Sequence, residues 1–233
     1  MPVLNTGLAK TSAEAYTIDY SCRFEDGDTP SLSRTPGSAG NRLLWTYSTW
    51  MKRGNQGTYQ VLLASKTNTA SIFMQPGNIM QIEQYNGAGG YDFRKDWGTA
   101  KLRDSSAWYH ALIIYDSAQD AADDRLKFYL NNVLQTKETE SDVIAEDFES
   151  EFNNTEEHWI GKIGSWYYDG LFAETHFIDG AAVTPASFGE TGDYGEWKPI
   201  EYTGSHGTQG FYLNYADSAA LGDDAAGSND WTV

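Results

Sequence analysis

Short runs in which large apolar and polar side chains alternate, each cut off by glycine, asparagine or aspartate, recur from one end of this chain to the other. Leu43 to Lys52 (LLWTYSTWMK) is one such run, Tyr59 to Ala64 follows the turn at Gly54 and Gly57, and Ser71 to Met74 and Asn78 to Tyr85 come next. Alternation at period two marks strands with one face buried, and a recurrence about every 10–14 residues suits a sandwich. Trp108 to Tyr115 and Arg125 to Leu130 read as a hairpin joined by Asp116 to Asp124, with Asn131 and Asn132 as a tight turn into Val133 to Thr136. Trp159 to Ile163 and Leu171 to Ile178 close the pattern, with bends at Gly161, Gly164 and Gly170. No stretch keeps apolar residues at helical spacing over several turns. One turn of helix is expected, at Thr184 to Phe188, with Thr184 as N-cap and Pro185 at the first helical position.

At 233 residues the chain suits one large β domain. The expectation is an all-β fold, a two-sheet antiparallel sandwich over residues 16–233, preceded by an arm over residues 1–15 that frays or docks on a neighbour. Lys137 to Glu157 has few large apolar residues and reads as a long exposed loop. The tail from about Asp217 is rich in Ala, Gly and Asp and stops on Trp231-Thr232-Val233, as would a domain whose last strand pairs elsewhere or a shortened chain.

The formal charge of −17 gives a field that repels phosphate backbones and anionic bilayers, which argues against nucleic-acid partners. No window is apolar for long enough to span a membrane, and no basic-then-apolar leader is visible at the start. Cys22 is the single cysteine, so neither an internal disulfide nor a cysteine-based zinc site can form. Most of the acidic residues are expected to solvate the surface. A Ca²⁺ site is the one cofactor reading, because Asp116, Asp120, Asp123 and Asp124 crowd one loop, although no D-x-D-x-D-G pattern fixes the ligands.

Aromatic side chains next to carboxylates or amides can stack on sugar rings and hydrogen-bond their hydroxyls. Two clusters fit: Trp166-Tyr167-Tyr168-Asp169 in a glycine-bounded loop, and Tyr91 to Trp97 (YDFRKDW), with Tyr91 and Trp97 as its contact candidates. Either cluster could instead cover the core. His110, His158, His176 and His206 lie apart in sequence, and none sits beside a nucleophile-elbow motif; His110 and His176 fall within strands and read as structural. There is no phosphate-binding glycine motif, since Gly87-Ala88-Gly89-Gly90 leads into no helix.

Beyond these patterns, the block from Tyr20 to Gly54 carries Arg23-Phe24, then Leu32 to Pro36 (LSRTP), Gly40-Asn41, and Thr46 to Arg53. A second block runs Trp108-Tyr109-His110, Asp116, Asp124-Arg125 and Tyr129-Leu130-Asn131-Asn132, with Asn132 where Gly is usual. A third joins Asp169-Gly170-Leu171, Glu174 to Gly180, Thr184 to Glu190, Trp197 to Pro199, Gly204 to Gly207 and Gly210 to Asn214. In this order the blocks resemble the concanavalin A-like, laminin G-like jelly-roll domains of tailed-bacteriophage virion proteins, especially from phages of marine bacteria and cyanobacteria. The likeness covers about Ser21 to Val233.

That resemblance implies a jelly roll and a non-enzymatic structural role on the capsid or tail surface, as decoration, fibre or tail-associated protein. It implies other virion proteins and further copies of the chain as partners, commonly three-fold in fibres, with host or environmental glycans at an exposed face. The alternative is a free carbohydrate-binding module or a laminarinase-type glycanase of the same fold. Such a retaining glycanase needs two carboxyl groups about 5–5.5 Å apart. The nearest candidate, Glu146-Asp147-Phe148-Glu149-Ser150-Glu151, lacks strand-forming neighbours and does not reproduce the E-x-D-x-x-E spacing.

Overall fold

The computed structural model describes residues 16–65, 69–98 and 102–233. The expected arm over residues 1–15 lies outside them. In chain order the strands are β1 (Cys22–Phe24), β2 (Leu32–Arg34), β3 (Leu44–Arg53), β4 (Gln60–Ser65), β5 (Ala70–Gln75), β6 (Ile79–Tyr85), β7 (Tyr91–Trp97), β8 (Tyr109–Asp116) and β9 (Leu126–Leu130). There follow β10 (Val133–Leu134), β11 (Thr139–Ser141), β12 (His158–Ile160), β13 (Lys162–Ile163), β14 (Trp166–Tyr167), β15 (Gly170–Asp179), β16 (Gly189–Thr191), β17 (Trp197–Pro199) and β18 (Phe211–Leu213).

They build a jelly-roll sandwich of two seven-stranded antiparallel sheets. The first sheet runs β1-β15-β3-β8-β9-β10, with β18 also on β15; the second runs β11-β7-β6-β5-β4-β12-β2. Two small hairpins, β13-β14 and β16-β17, lie outside these sheets. The alternation read from Leu43 to Lys52 sets the inward face of β3: Trp45, Tyr47 and Met51 enter the core, where Trp45 stacks on Tyr115 at 5.3 Å and on Phe177 at 5.5 Å. Opposite them the second sheet contributes Leu63, Ile72, Met74, Met80, Ile82 and Phe93. The hairpin β8-β9 forms as expected, and Asn131 and Asn132 take positive φ of 47° and 66°, the conformation demanded by the tight turn that leads from β9 into β10.

Four readings are corrected. The stretch 137–157 is not a free loop: Ile144, Phe148 and Phe152, spaced by four, turn inward against the main core, β11 pairs with β7, and Arg42 donates to the Ser150 carbonyl at 2.7 Å. The tail does not pair elsewhere; Trp231 is buried edge-on against Phe211, and Ser33 and Thr232 exchange two backbone hydrogen bonds of 2.8 Å. The turn near Thr184 is a single 3-10 turn, Pro185–Ser187, and the Thr184 side chain makes no capping bond. Tyr91 to Trp97 is a strand whose inward face carries Phe93, Lys95 and Trp97; Lys95 is buried against Glu140 at 2.9 Å.

Both outer faces are partly covered. On the first sheet, Phe188 and Tyr202 from the connection after β15 pack on Leu112, Ile114 and Ile178. On the second, the β13-β14 hairpin lays Ile163 against Val61, Ala64 and Phe73, with Tyr59 and Trp159 beside them. That second contact positions the site.

Candidate functional site

The β13-β14 hairpin turns through Gly164, at φ 56°, and Ser165. This short reversal leaves the Trp166 indole on the outside of the second sheet, 36% exposed, with its ring 4.0 Å from that of Tyr59 and nearly parallel at 10°. Phe73 supports the pair at 5.5 Å from Trp166. In front of it opens a groove of about 560 Å³, lined by Asp26, Tyr59, Pro76, Ser165, Trp166 and Tyr167 among others. Lys162 holds its ammonium 5.8 Å from the Tyr167 ring centre. Flat rings with a carboxylate and hydroxyls at the rim are the surface on which a pyranose or furanose stacks its C–H face.

Beside the groove, Glu25, Asp26 and Asp169 bring carboxylate oxygens within 4.8 Å of one another. Burial pushes the Asp169 carboxyl up, and the charges of Asp26 and Glu25 add to it, against a backbone hydrogen bond from Asn55 that lowers it. Arg23 pairs with Glu25 at 2.5 Å, and the Asn55 amide donates to Asp26 at 3.4 Å. Three hard oxygen donors at this separation are of the kind that a Ca²⁺ ion takes. The cluster joins residues from the β1-β2 connection to one just before β15, a proximity that sequence spacing does not announce.

The structure separates the residues read as contact candidates. Trp166, Tyr167 and Asp169 come together at or beside the groove. Tyr168 does not join them: it is 0% exposed, stacks on Phe172 at 3.9 Å and donates to the Lys52 carbonyl at 3.1 Å. Trp97 is 2% exposed and packs edge-on against Phe128 at 5.8 Å, so it is core as well. Tyr91 is half-buried, with its hydroxyl 3.2 Å from that of Tyr85 and accepting from Arg94 at 3.4 Å.

The four aspartates read as Ca²⁺ ligands are not gathered into a donor set. Asp123 pairs with Lys137, Asp124 with Lys127 at 3.0 Å, and Asp116 accepts from Gln119 at 2.5 Å. The buried Arg125 organises this loop instead, donating to the carbonyls of Gln119 at 2.8 Å, Asp120 at 3.0 Å and Ile144 at 2.8 Å. A guanidinium thus uses the backbone oxygens that a hard cation would need. Among the described residues, Glu25, Asp26 and Asp169 form the one three-donor group.

Histidines far apart in sequence do meet. His176 Nδ1 lies 3.0 Å from His206 Nε2, and its Nε2 lies 3.7 Å from Glu174, all on the outer face of the first sheet. Glu174 sits at a register shift in β15 with φ 47°, which turns its carboxylate toward the hydroxyls of Tyr16 and Tyr212, each donating at 2.8 Å. His110 is hydrogen-bonded to Ser48 at 2.8 Å, a pairing that invites comparison with a nucleophile and its base. Its Nδ1 accepts from Trp197 Nε1 at 3.2 Å, so the neutral ring carries its proton on Nε2 and donates to Ser48. Burial holds its pKa down at about 3. In that tautomer the ring cannot take the Ser48 proton, and among the described residues no carboxylate orients it as in a catalytic triad.

A family model for the concanavalin A-like lectin/glucanases superfamily, of laminin G type, matches residues 29–187. No curated protein matches the sequence. Among solved structures, domain 4 of AbnA, an extracellular GH43 arabinanase from Geobacillus stearothermophilus in complex with arabinotriose, is 17% identical, with 71% of this chain and 73% of that one covered and a TM-score of 0.51. A heptameric SAP-like pentraxin from Limulus polyphemus is 10% identical over 70% of this chain and 77% of its own, at a TM-score of 0.46. The CBM40 of a Ruminococcus gnavus IT-sialidase, bound to α2,3 sialyllactose, is 12% identical over 65% and 85%, at 0.44. With two opposed seven-stranded sheets and a family match that runs from the β1-β2 connection into the cover of the first sheet, the chain belongs to the concanavalin A-like lectin/glucanase superfamily.

Proposed function

We propose that this chain is a non-enzymatic structural protein of a tailed-bacteriophage virion, placed on the capsid or tail surface, and that it meets glycans through the groove at Tyr59, Trp166 and Tyr167. The virion reading is supported by the three sequence blocks that resemble such proteins between Ser21 and Val233. One observation carries the glycan reading: the Trp166 indole, backed by Tyr59 at 4.0 Å, stands at the wall of an open groove with Asp26 at its rim. An indole held rigid in this way loses little freedom on stacking against a sugar. The arabinanase domain of the same fold, solved with arabinotriose, supports a saccharide ligand.

The test has two arms. Mass spectrometry of purified virions should find the chain at stoichiometric copy number, and its absence there would remove the virion reading. On a glycan array the wild-type protein should bind a subset of saccharides and Trp166→Ala should lose that binding by about tenfold or more. An array with no binder would remove the glycan reading and leave the virion reading standing.

A further inference from the structure

The outer face of the first sheet holds a second cavity that the glycan groove does not reach. Its floor is Trp50 of β3 and Ala173 of β15, which are register partners. One face of the Trp50 ring is taken by His110, stacked at 5.2 Å and 28°, and the small side chain of Ala173 leaves a depression beside it. The walls are Tyr20, Trp108 and Pro199, and the cavity measures about 280 Å³. Tyr20 is 54% and Trp108 37% exposed, and neither stacks on another ring among the described residues. Asp19 stands at the rim; its carboxylate accepts from the Thr17 hydroxyl at 3.2 Å and has no ion-pair partner among the described residues. No lysine or arginine lines the cavity.

We propose that the pocket of Tyr20, Trp50 and Trp108 binds a methylated quaternary ammonium group, with Asp19 as its counter-charge. The π faces of the three rings present negative potential, which attracts a cation. A tetraalkylammonium is weakly hydrated and needs no hydrogen bonds, and this suits a cavity lined mainly by aromatic and apolar side chains, with Asp19 as its one charged group. A sugar would leave most of its hydroxyls without partners there. The volume admits one head group rather than an extended chain, and the charge of −17 favours a cationic ligand over an anionic one. The proposal does not depend on the groove at Trp166.

The experiment titrates tetramethylammonium chloride and choline chloride into the protein at constant ionic strength, read by tryptophan fluorescence and calorimetry, with sodium chloride and glucose as controls. Saturable binding on the order of millimolar is expected for both ammonium salts and for neither control. Trp108→Ala should weaken it by about tenfold, Trp108→Phe by less, and Asp19→Asn by about threefold. Circular dichroism checks that each variant is folded, and Trp108→Phe and Asp19→Asn keep the test valid should Trp108→Ala fail to fold. Co-sedimentation with phosphatidylcholine vesicles separates the sources: capture that is lost in the Trp108 variants assigns a lipid head group, while binding of free choline without capture assigns a soluble or polymer-borne ammonium. The proposal is overturned if no saturable response appears up to about 100 mM ammonium salt, if glucose gives the same response, or if the Trp108 and Asp19 variants bind like the wild type.

Discussion

The Tyr16 hydroxyl donates to Glu174 Oε2 at 2.8 Å across 158 positions of sequence, tying the segment before β1 to the register shift of β15. Burial pushes the Glu174 carboxyl up, but the neighbouring His176 ring and the hydrogen bonds from Tyr16 and Tyr212 outweigh it and leave the group below the usual glutamate value. Burial and the Glu174 charge raise the Tyr16 phenol to about 12, so it stays a donor at neutral pH. Tyr16→Phe should cost about 1 kcal/mol in urea unfolding at pH 7, with Tyr212 still bonded to the carboxylate. A carboxylate held low stabilises the fold above its ordinary pKa and loses that contribution as pH falls through the folded value. The cost of Tyr16→Phe should therefore shrink as pH falls below the usual glutamate range and through the lowered folded value, where Glu174 takes a proton. An unchanged midpoint at pH 7 would show that the segment from Tyr16 is not latched.

The four histidines should make the fold acid-sensitive well above the carboxylate range. Burial lowers His110 to about 3 and His158 to about 4, lowers His176 against the partial rescue of Glu174, and lowers His206 to about 4 with the help of His176. A histidine with a folded pKa below its unfolded value of about 6.5 binds its proton more tightly when unfolded, so stability falls as pH drops through 6.5 and goes on falling to the folded pKa. Each fully buried histidine contributes a slope of up to about 1.4 kcal/mol per pH unit in that window, and the part-exposed His206 contributes less. Unfolding free energies measured between pH 7.5 and 4.5 should decline steadily below pH 6.5, with proton uptake on unfolding. A flat profile over that range would mean that the rings are solvated or charged in the fold.

What the sequence makes legible depends on the distance over which each cause acts. The sheets were legible because alternation is local: Trp45, Tyr47 and Met51 recur on one side of one strand, and Asn131-Asn132 names its own turn. In Tyr91 to Trp97 the same alternation is present, but its inward face includes Lys95, and the group that makes this tolerable, Glu140, lies on β11. Phe152 and its neighbours were hidden among acids, although a spacing of four between Ile144, Phe148 and Phe152 was there to be seen. At the site, a glycine-bounded loop pointed to Trp166, but nothing in the order Trp166-Tyr167-Tyr168-Asp169 says that Tyr168 turns inward where the hairpin rejoins the sheet. Tyr59 as the partner of Trp166, and Glu25 and Asp26 as partners of Asp169, come from other strands and connections, so only the fold brings them together.

Gly170 links the hairpin to the sheet in a conformation that only glycine adopts readily. Its φ is +143°, and a β-carbon there would lie 2.1 Å from the Lys52 carbonyl oxygen, a backbone atom fixed by the pairing of β3 with β15. Neither the strain nor the clash can be relieved without moving Asp169, whose carbonyl accepts from Gly54 at 2.8 Å, and with it the hairpin that carries Trp166. Gly170→Ala should therefore destabilise the fold by about 3 kcal/mol, a fall in Tm of roughly 6–12 °C, and weaken any ligand of the Trp166 groove in the fraction that remains folded. Gly37→Ala is the control, since a β-carbon there meets nothing within 4 Å and the backbone is not left-handed. Differential scanning calorimetry of the two variants decides the matter: a Gly170→Ala melt within about 2 °C of Gly37→Ala would mean that β15 can slide past Lys52, and that the groove is held by the hairpin's packing on Phe73 rather than by its junction with the sheet.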